Sequence, residues 1–283
     1  MFYIPFLGAL ALASGTILEK LTLKKKSMNI KLYQTAVFLA IVLAMLPFIY
    51  FFWKMDMQAL QPINLLIFGI VILFSIIANL FVFYSLKWEK VTNIEPARVL
   101  EPLFVILLAV LFSYFLGGGL YDRNLGVIIP ALIAGLALIF SHIKKHHLNF
   151  NKYFVAAIFG SLFFALELVI SRIILGFYSP ITFYFLRSSA IFLISLLIFK
   201  PKIHKIKLRE GSKILITGII WFVYRIVIYY GYLNYGVIFT TLMIMLGPVL
   251  VYVFAYTFLK ERLHWKNIVA AAIILGAVLY TLI

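Results

Sequence analysis

The chain has 283 residues, of which 65% are hydrophobic and 12% charged, and its mean hydropathy is +1.11. A water-soluble domain of this composition would expose large apolar patches, so the composition indicates a polytopic membrane protein. The formal net charge of +16 arises mainly from short loops between apolar segments, where lysines meet lipid headgroups, and this placement argues against a nucleic-acid partner. Because cysteine is absent, disulfides and thiolate chemistry are excluded.

Ten apolar stretches follow one another along the chain, and a helix needs roughly 20 apolar residues to cross a bilayer. The runs are too long and too uniformly apolar for barrel strands, so an all-α polytopic membrane protein is predicted. The first stretch lacks the basic segment of a secretory signal, and we predict that it is a retained helix. The ten predicted helices span residues 2–23, 30–53, 62–87, 91–116, 121–141, 152–176, 180–199, 212–235, 237–259 and 265–282.

The ten stretches divide into two sets of five that share a motif. An offset of 146 residues places Pro102 on Pro248, and an offset of 152 places Gly8 on Gly160. Since each half has an odd number of crossings, two like-folded halves must lie inverted in the membrane, which is typical of alternating-access carriers. The two five-helix repeats are predicted at residues 1–148 and 149–283.

Lysine and arginine concentrate in every second loop. The first, third, fifth, seventh and ninth loops are basic, whereas the even loops contain only Lys54 and Arg123. By the positive-inside rule, this distribution predicts that the odd loops are cytoplasmic and that both termini lie outside.

Several short motifs lie within and between the predicted helices. They are Tyr84-Ser85-Leu86-Lys87, Pro102, Ser179-Pro180 followed by Arg187, Pro248, Lys260-Glu261-Arg262-Leu263 and Gly276. At these residues the sequence resembles the drug/metabolite transporter superfamily, specifically its ten-helix EamA-type members. The resemblance implies a metabolite transporter, favours export, and implies cytoplasmic termini, which is opposite to the loop-charge prediction. The first half departs from the family pattern, because Gly117-Gly118-Gly119 replaces the expected Gly-Glu-Arg.

Six charged residues are predicted to lie deep in the bilayer. They are Glu95, Arg98, Glu101, Glu167, Arg187 and Arg225. Charged groups at this depth face the bundle interior and mark a pathway or a structural pair. Glu95, Arg98 and Glu101 share one helical face, and three acids balance three bases. An internal ion-pair lattice and a site for substrate or proton are both open interpretations.

One face of the eighth predicted helix suggests a substrate site. Trp221, Arg225 and Tyr229 fall close to this face. The Arg225 guanidinium suits a carboxylate or phosphate, and the aromatic rings suit an apolar or cationic group. Together they fit a zwitterion with an apolar side chain. The predicted substrate-binding residues are Arg225, Trp221, Tyr229, Asn79, Arg187 and Tyr84.

Glu167 lies near mid-helix among phenylalanines, which disfavour an ionised carboxylate and make it a candidate for proton coupling. Neutralisation by Arg187 or Arg225 is the alternative. Pro102 and Pro248 have no amide hydrogen, so the carbonyl four residues before each lacks its usual hydrogen-bond donor. We expect both prolines to kink their helices toward a central cavity.

The sequence therefore predicts a secondary active transporter of a small metabolite, such as an amino acid, in a cell membrane as a monomer or homodimer. The alternatives are an exchanger of phosphorylated compounds such as nucleotide sugars, and a lipid-processing enzyme or non-transporting subunit. No nucleophile, base and acid constellation occurs, and His142, His146 and His147 lack an accompanying carboxylate. Neither enzymatic activity nor a metal or other cofactor is predicted.

Overall fold

The structure is a computed structural model that describes residues 3–89, 91–116, 119–121, 123–142, 151–247, 250 and 265–282. Within these residues the fold is helical, with two short 3-10 turns and one isolated bridge between Met55 and Tyr178. The helices are α1 (Tyr3–Leu23), α2 (Ile30–Phe52), α3 (Pro62–Trp88), α4 (Val91–Arg98), α5 (Leu100–Phe115), α6 (Leu125–His142), α7 (Lys152–Leu175), α8 (Pro180–Phe199), α9 (Leu208–Asn234), α10 (Val237–Ile244) and α11 (Trp265–Leu282).

The predicted all-α fold is confirmed for the described residues, with boundaries that differ at four places. The ninth predicted helix, 237–259, is interrupted at the end of α10, and most of its remainder lies outside the described residues. The fourth predicted helix is divided into α4 and α5 at Val99. Helix α6 begins at Leu125 because the Asn124 side chain accepts a hydrogen bond from the Gly126 amide at 2.9 Å. Helix α9 begins at Leu208, four residues earlier than predicted.

Polar caps set the start of the two helices that open the second half. The Asn151 side chain accepts hydrogen bonds from the Tyr153 and Phe154 amides at 3.0 and 2.8 Å, so α7 starts at the next residue. The Ser179 hydroxyl accepts from the Thr182 amide at 3.1 Å, and Pro180 follows at the first helical position.

Six described helical segments are long and apolar enough to cross a membrane by length and composition: α2, α3, residues 96–115 across α4 and α5, α7, α8 and α9. Shorter apolar helices occupy 125–141 and 268–282. Their outward surfaces are aliphatic: Leu66, Leu136 and Leu197 are 60%, 59% and 70% exposed. Such a surface suits contact with lipid rather than with water.

The closest helix packing joins the two predicted halves. Helix α3 lies against α7, α1 against α9, α2 against α8 and α6 against α11. Gly8 and Gly160 permit two of these approaches, since a Cβ atom would lie 2.8 Å from Val227 at Gly8 and 2.6 Å from Val82 at Gly160. The first helix of each half therefore packs against the third helix of the other.

The break between α4 and α5 coincides with Pro102, which lies in the first turn of α5 and has no amide hydrogen to give to the Arg98 carbonyl. The Ser161 hydroxyl on α7 donates to the Ala97 carbonyl at 3.0 Å and approaches the Arg98 carbonyl at 3.5 Å. A neighbouring helix thus satisfies backbone groups that the break releases. Pro248 lies outside the described residues.

Contacts between loops define the two ends of the bundle. At one end, Lys25 Nζ lies 3.1 Å from Glu210 Oε1, which joins the first loop to the start of α9. At the other, the Ser179 amide donates to the Lys54 carbonyl at 2.9 Å, which joins the second loop to the α7–α8 connection. The segments at 24–31 and 200–207 form what we call the lysine-rich end.

Candidate functional site: a central cavity lined by both signs of charge

A cavity of about 50 Å³ lies at the centre of the bundle, among α1, α2, α3, α4, α5, α7, α8 and α9. A water molecule needs about 10–15 Å³ of such space, whereas pockets for small organic ligands span about 300–1,000 Å³. Only a few waters therefore fit in the cavity as the structure has it. Its charged lining residues are Glu19, Arg98, Glu101, Arg187 and Arg225.

The Glu167 carboxylate on α7 is the centre of a buried cluster behind this cavity. Arg187 Nη1 donates to Oε1, and Arg225 Nη1 donates to Oε2 at 3.1 Å. The Tyr229 hydroxyl donates to Oε1 at 2.9 Å and accepts a hydrogen bond from Arg187. Glu167 is completely buried, and Arg187 and Arg225 are 1% and 6% exposed. Of the two roles open for Glu167, the structure shows ion pairing, and with both arginines rather than one.

Aromatic rings surround the two guanidiniums. The Arg187 guanidinium carbon lies 5.1 Å from the Tyr184 ring centre, and that of Arg225 lies 5.2 Å from the Phe164 ring centre. Tyr184 and Phe164 also line the cavity. Cation–π attraction helps to hold these charges away from water, and it gives the cavity an aromatic wall beside its cations.

One donor of this cluster remains free. Arg187 Nε is buried and has no hydrogen-bond partner among the described residues. A buried N–H without a partner costs free energy comparable to a lost hydrogen bond, so an acceptor that enters the cavity can gain by meeting it. Two guanidiniums share one carboxylate, and the cluster itself has an excess of one positive charge.

Glu19 on α1 is a cavity residue that the sequence analysis missed. It is 3% exposed, and its Oε1 accepts a hydrogen bond from Trp221 Nε1 at 2.9 Å. Because Glu19 lies beside Lys20 near the end of α1, its place in the sequence suggests the membrane interface rather than the interior of the bundle. The available signal was Gly15, four residues earlier on the same face, where a Cβ atom would lie 3.1 Å from the Trp221 ring.

Arg98 and Glu101 complete the charged lining from the first half. Arg98 Nη1 donates to the Thr16 hydroxyl at 3.2 Å. Glu101 lines the cavity without a hydrogen bond or ion pair to any described residue. The Glu95 side chain lies outside the described part of the chain. Among the described residues, three acids and three bases meet in this region: Glu19, Glu101 and Glu167 with Arg98, Arg187 and Arg225.

The predicted substrate-binding residues divide into three groups by position. Trp221, Asn79, Arg187 and Arg225 line the cavity, although the Asn79 amide nitrogen already donates to the Ser75 carbonyl at 2.7 Å. Tyr229 lies behind it and supports the arginines. Tyr84 does not line the cavity, since its ring packs 5.4 Å from the Tyr153 ring at the far end of α3.

Comparisons with known proteins agree with this architecture. The model of the EamA-like transporter family matches residues 1–117 and 151–283. No curated protein matches the chain. A crystal structure of a protein aligns over 98% of this chain and 95% of its own length, with a TM-score of 0.68 and 16% sequence identity, a likeness that concerns the fold alone. The family expected from the sequence motifs is confirmed: the chain belongs to the EamA-like transporter family and is a multi-pass membrane transporter.

Proposed function

We propose that the protein is a secondary active transporter that carries a small metabolite with both an anionic and a cationic group, such as an amino acid. The observation that carries the proposal is the mixed lining of the central cavity, where guanidiniums and carboxylates meet the same space. Export is the direction that the resemblance to EamA-type members favours.

The arginine side of the cavity suits the anionic group of such a substrate. The Arg187 Nε–H has no acceptor among the described residues, and Arg187 and Arg225 together exceed the charge of Glu167 by one. A carboxylate that approaches them gains charge-assisted hydrogen bonds and neutralises the excess.

The opposite side suits a cationic group. Glu101 forms no hydrogen bond or ion pair with a described residue, and Glu19 accepts one hydrogen bond, from Trp221. Their carboxylates can accept hydrogen bonds from a substrate ammonium, while Trp221, Tyr224 and Phe164 supply aromatic surface for its apolar part.

A phosphorylated substrate fits this lining less well. A phosphate dianion would lie near Glu19 and Glu101 as well as near the arginines, and repulsion from two carboxylates opposes its binding. The exchanger of nucleotide sugars is therefore the less favoured of the two carrier hypotheses.

Alternating access accounts for the small cavity. A space of about 50 Å³ cannot admit an amino acid, so the surrounding helices must separate to load and release it. The pairing of α1 with α9 and of α3 with α7 supports two inverted repeats that rock against each other, and the break near Pro102 supplies a bend beside the site.

A transported proton, if one is coupled, is better assigned to Glu101 than to Glu167. Arg187, Arg225 and the Tyr229 hydroxyl already bond both oxygens of the Glu167 carboxylate, which commits this group to the buried cluster. Glu101 faces the cavity and can exchange a proton with water there.

The test is a thermal-shift series on the purified protein, followed by uptake into proteoliposomes. The ligands are an aromatic or branched amino acid, its amide, its deaminated acid and a sugar phosphate. We expect stabilisation and transport with the intact amino acid, and neither with the analogues that lack one charge. Equal effects of the amino acid and its amide would show that the arginines do not bind the substrate carboxylate. Transport of the sugar phosphate alone would favour the exchanger of phosphorylated compounds.

A further inference from the structure

A second cavity of about 340 Å³ lies at the lysine-rich end, separate from the central one. It is bounded by the first loop and the start of α2, by the end of α8, and by the chain that leads into α9. Its lining consists of Ser27, Asn29, Lys31, Leu32, Phe199, Lys200, Pro201, Lys202, Ile206 and Glu210. The family match and the proposed transport do not assign a role to this space.

The lining has an excess of positive charge. Lys31, Lys200 and Lys202 surround the cavity, whereas Glu210 is the one acidic residue in the described part of its lining. Glu210 is already neutralised, since its Oε1 lies 3.1 Å from both Lys25 Nζ and the Ser27 hydroxyl. Three lysines therefore have no acidic partner within the lining, and an anion is the ligand that their field attracts.

The rest of the lining is apolar. Leu32, Pro201 and Ile206 contribute to it, and Lys31 Nζ stands 5.6 Å from the centre of the Phe199 ring. The cavity thus combines cations with aliphatic and aromatic surface, as expected for a site that binds a molecule in which a phosphate is linked to apolar chains.

The neighbouring helix surface is apolar and exposed. Leu197 and Ile198 near the end of α8 are 70% and 68% exposed, and Leu208 at the start of α9 is 91% exposed. An apolar chain can lie along this surface while its headgroup enters the cavity. A free phosphate ion would make no use of the apolar contacts.

Lys200 has a backbone conformation that favours a ligand-facing role. It ends α8 with a φ of 43°, the left-handed region in which a helix usually ends on glycine or asparagine. It is the one non-glycine residue with positive φ among the described residues. A lysine at this position adds a cation to the wall at a conformational cost that glycine would not incur.

We propose that this cavity binds the phosphate headgroup of an anionic phospholipid, with Lys31, Lys200 and Lys202 as its cationic partners. The acyl chains lie over the exposed surface of α8 and the start of α9. The headgroup contacts the first loop from the first half of the chain and the α8–α9 connection from the second, and it therefore ties the two halves together at this end.

The test uses the full-length purified protein and native mass spectrometry, with phosphatidylglycerol, phosphatidylcholine and glycerol 3-phosphate as probes. The variant K31A/K200A/K202A removes the three cavity lysines, all of which are exposed. The matched control K24A/K26A/K207A removes the same charge from exposed positions at the same end that do not line the cavity. We expect retention of phosphatidylglycerol to fall by about tenfold or more in the first variant and to remain within about twofold in the control.

Three results would overturn the proposal. Equal losses in both triple variants would indicate diffuse attraction by the lysine-rich end. Equal retention of phosphatidylcholine would show that binding does not require an anionic headgroup. Competition by glycerol 3-phosphate at concentrations similar to the lipid would indicate a site for a soluble anion. The single variants Lys200→Ala and Lys202→Ala keep the test valid if the triple variant fails to fold, with a severalfold loss expected in each and none in Lys24→Ala.

Discussion

The two sides of the central cavity differ in how completely their charges are paired. On the side formed by α7, α8 and α9, which we call the clustered wall, Glu167 is bonded by Arg187, Arg225 and Tyr229. On the side formed by α1, α4 and α5, which we call the open wall, Glu19 has one hydrogen bond from Trp221 and Glu101 has none to a described residue.

This difference separates an acid that is already paired from acids that are available to a ligand. The buried cluster fixes the relative positions of three helices, because the loss of Glu167 would leave two buried guanidiniums without an acid. Acids on the open wall can meet a substrate or a proton without dismantling the fold.

The largest effect is expected from Glu167→Ala, which removes the centre of the clustered wall. It leaves two buried guanidiniums without their acid and should lower the free energy of unfolding by about 3–5 kcal/mol. Thermal unfolding in detergent measures the loss. The double variant Glu167→Ala/Arg225→Met should recover part of it, and equal stability of Glu167→Ala and the native protein would show that the cluster does not hold the helices.

Arg225→Ala should weaken substrate binding more than it weakens the fold, since Arg187 remains to pair with Glu167. We expect affinity to fall by about 2 kcal/mol or more, as for a lost charge-assisted hydrogen bond. Binding titrations on folded protein measure this loss. Arg225→Lys retains the charge without the planar fork and should be intermediate, and unchanged affinity in Arg225→Ala would move the anion site elsewhere.

Glu101→Gln tests whether the open wall responds to protons. The charged groups that act on Glu101 are Arg225, Arg98 and Glu167. If Glu101 carries the coupled proton, substrate flux into proteoliposomes should follow a pH gradient in the native protein and become independent of it in the variant, with little change in stability. A gradient response that persists in Glu101→Gln and disappears in a folded Glu167→Gln would reverse the assignment of the two walls.

The smallest effect is expected at Ser161, which connects α7 to the break between α4 and α5. Ser161→Ala removes hydrogen bonds to the Ala97 and Arg98 carbonyls and should cost about 1 kcal/mol of stability. Differential scanning fluorimetry can detect this loss. Ser14→Ala is a matched control, because the Ser14 hydroxyl bonds within its own helix and is exposed; an equal change in both variants would mean that the link between the walls is unimportant.

Local patterns predicted the class of protein and most of its helices. Long apolar runs identified the helices because hydropathy depends only on neighbouring residues, and the boundaries failed where a single side chain decides them, as at Asn124. The motifs around Pro102 and Arg187 pointed to the family that the comparison confirms.

By itself the sequence determined that this is an all-α membrane protein with repeated motifs and a few charges deep in its helices. Only the tertiary structure decided which of those charges meet. Glu167 joins Arg187, Arg225 and Tyr229 across separations of 20, 58 and 62 residues, while Tyr84 lies away from the cavity and Glu19 lies in it. The physical reason is that a helical period assigns a residue to a face, whereas the rotation and depth of each helix, set by packing such as that at Gly8 and Gly160, determine which faces come together.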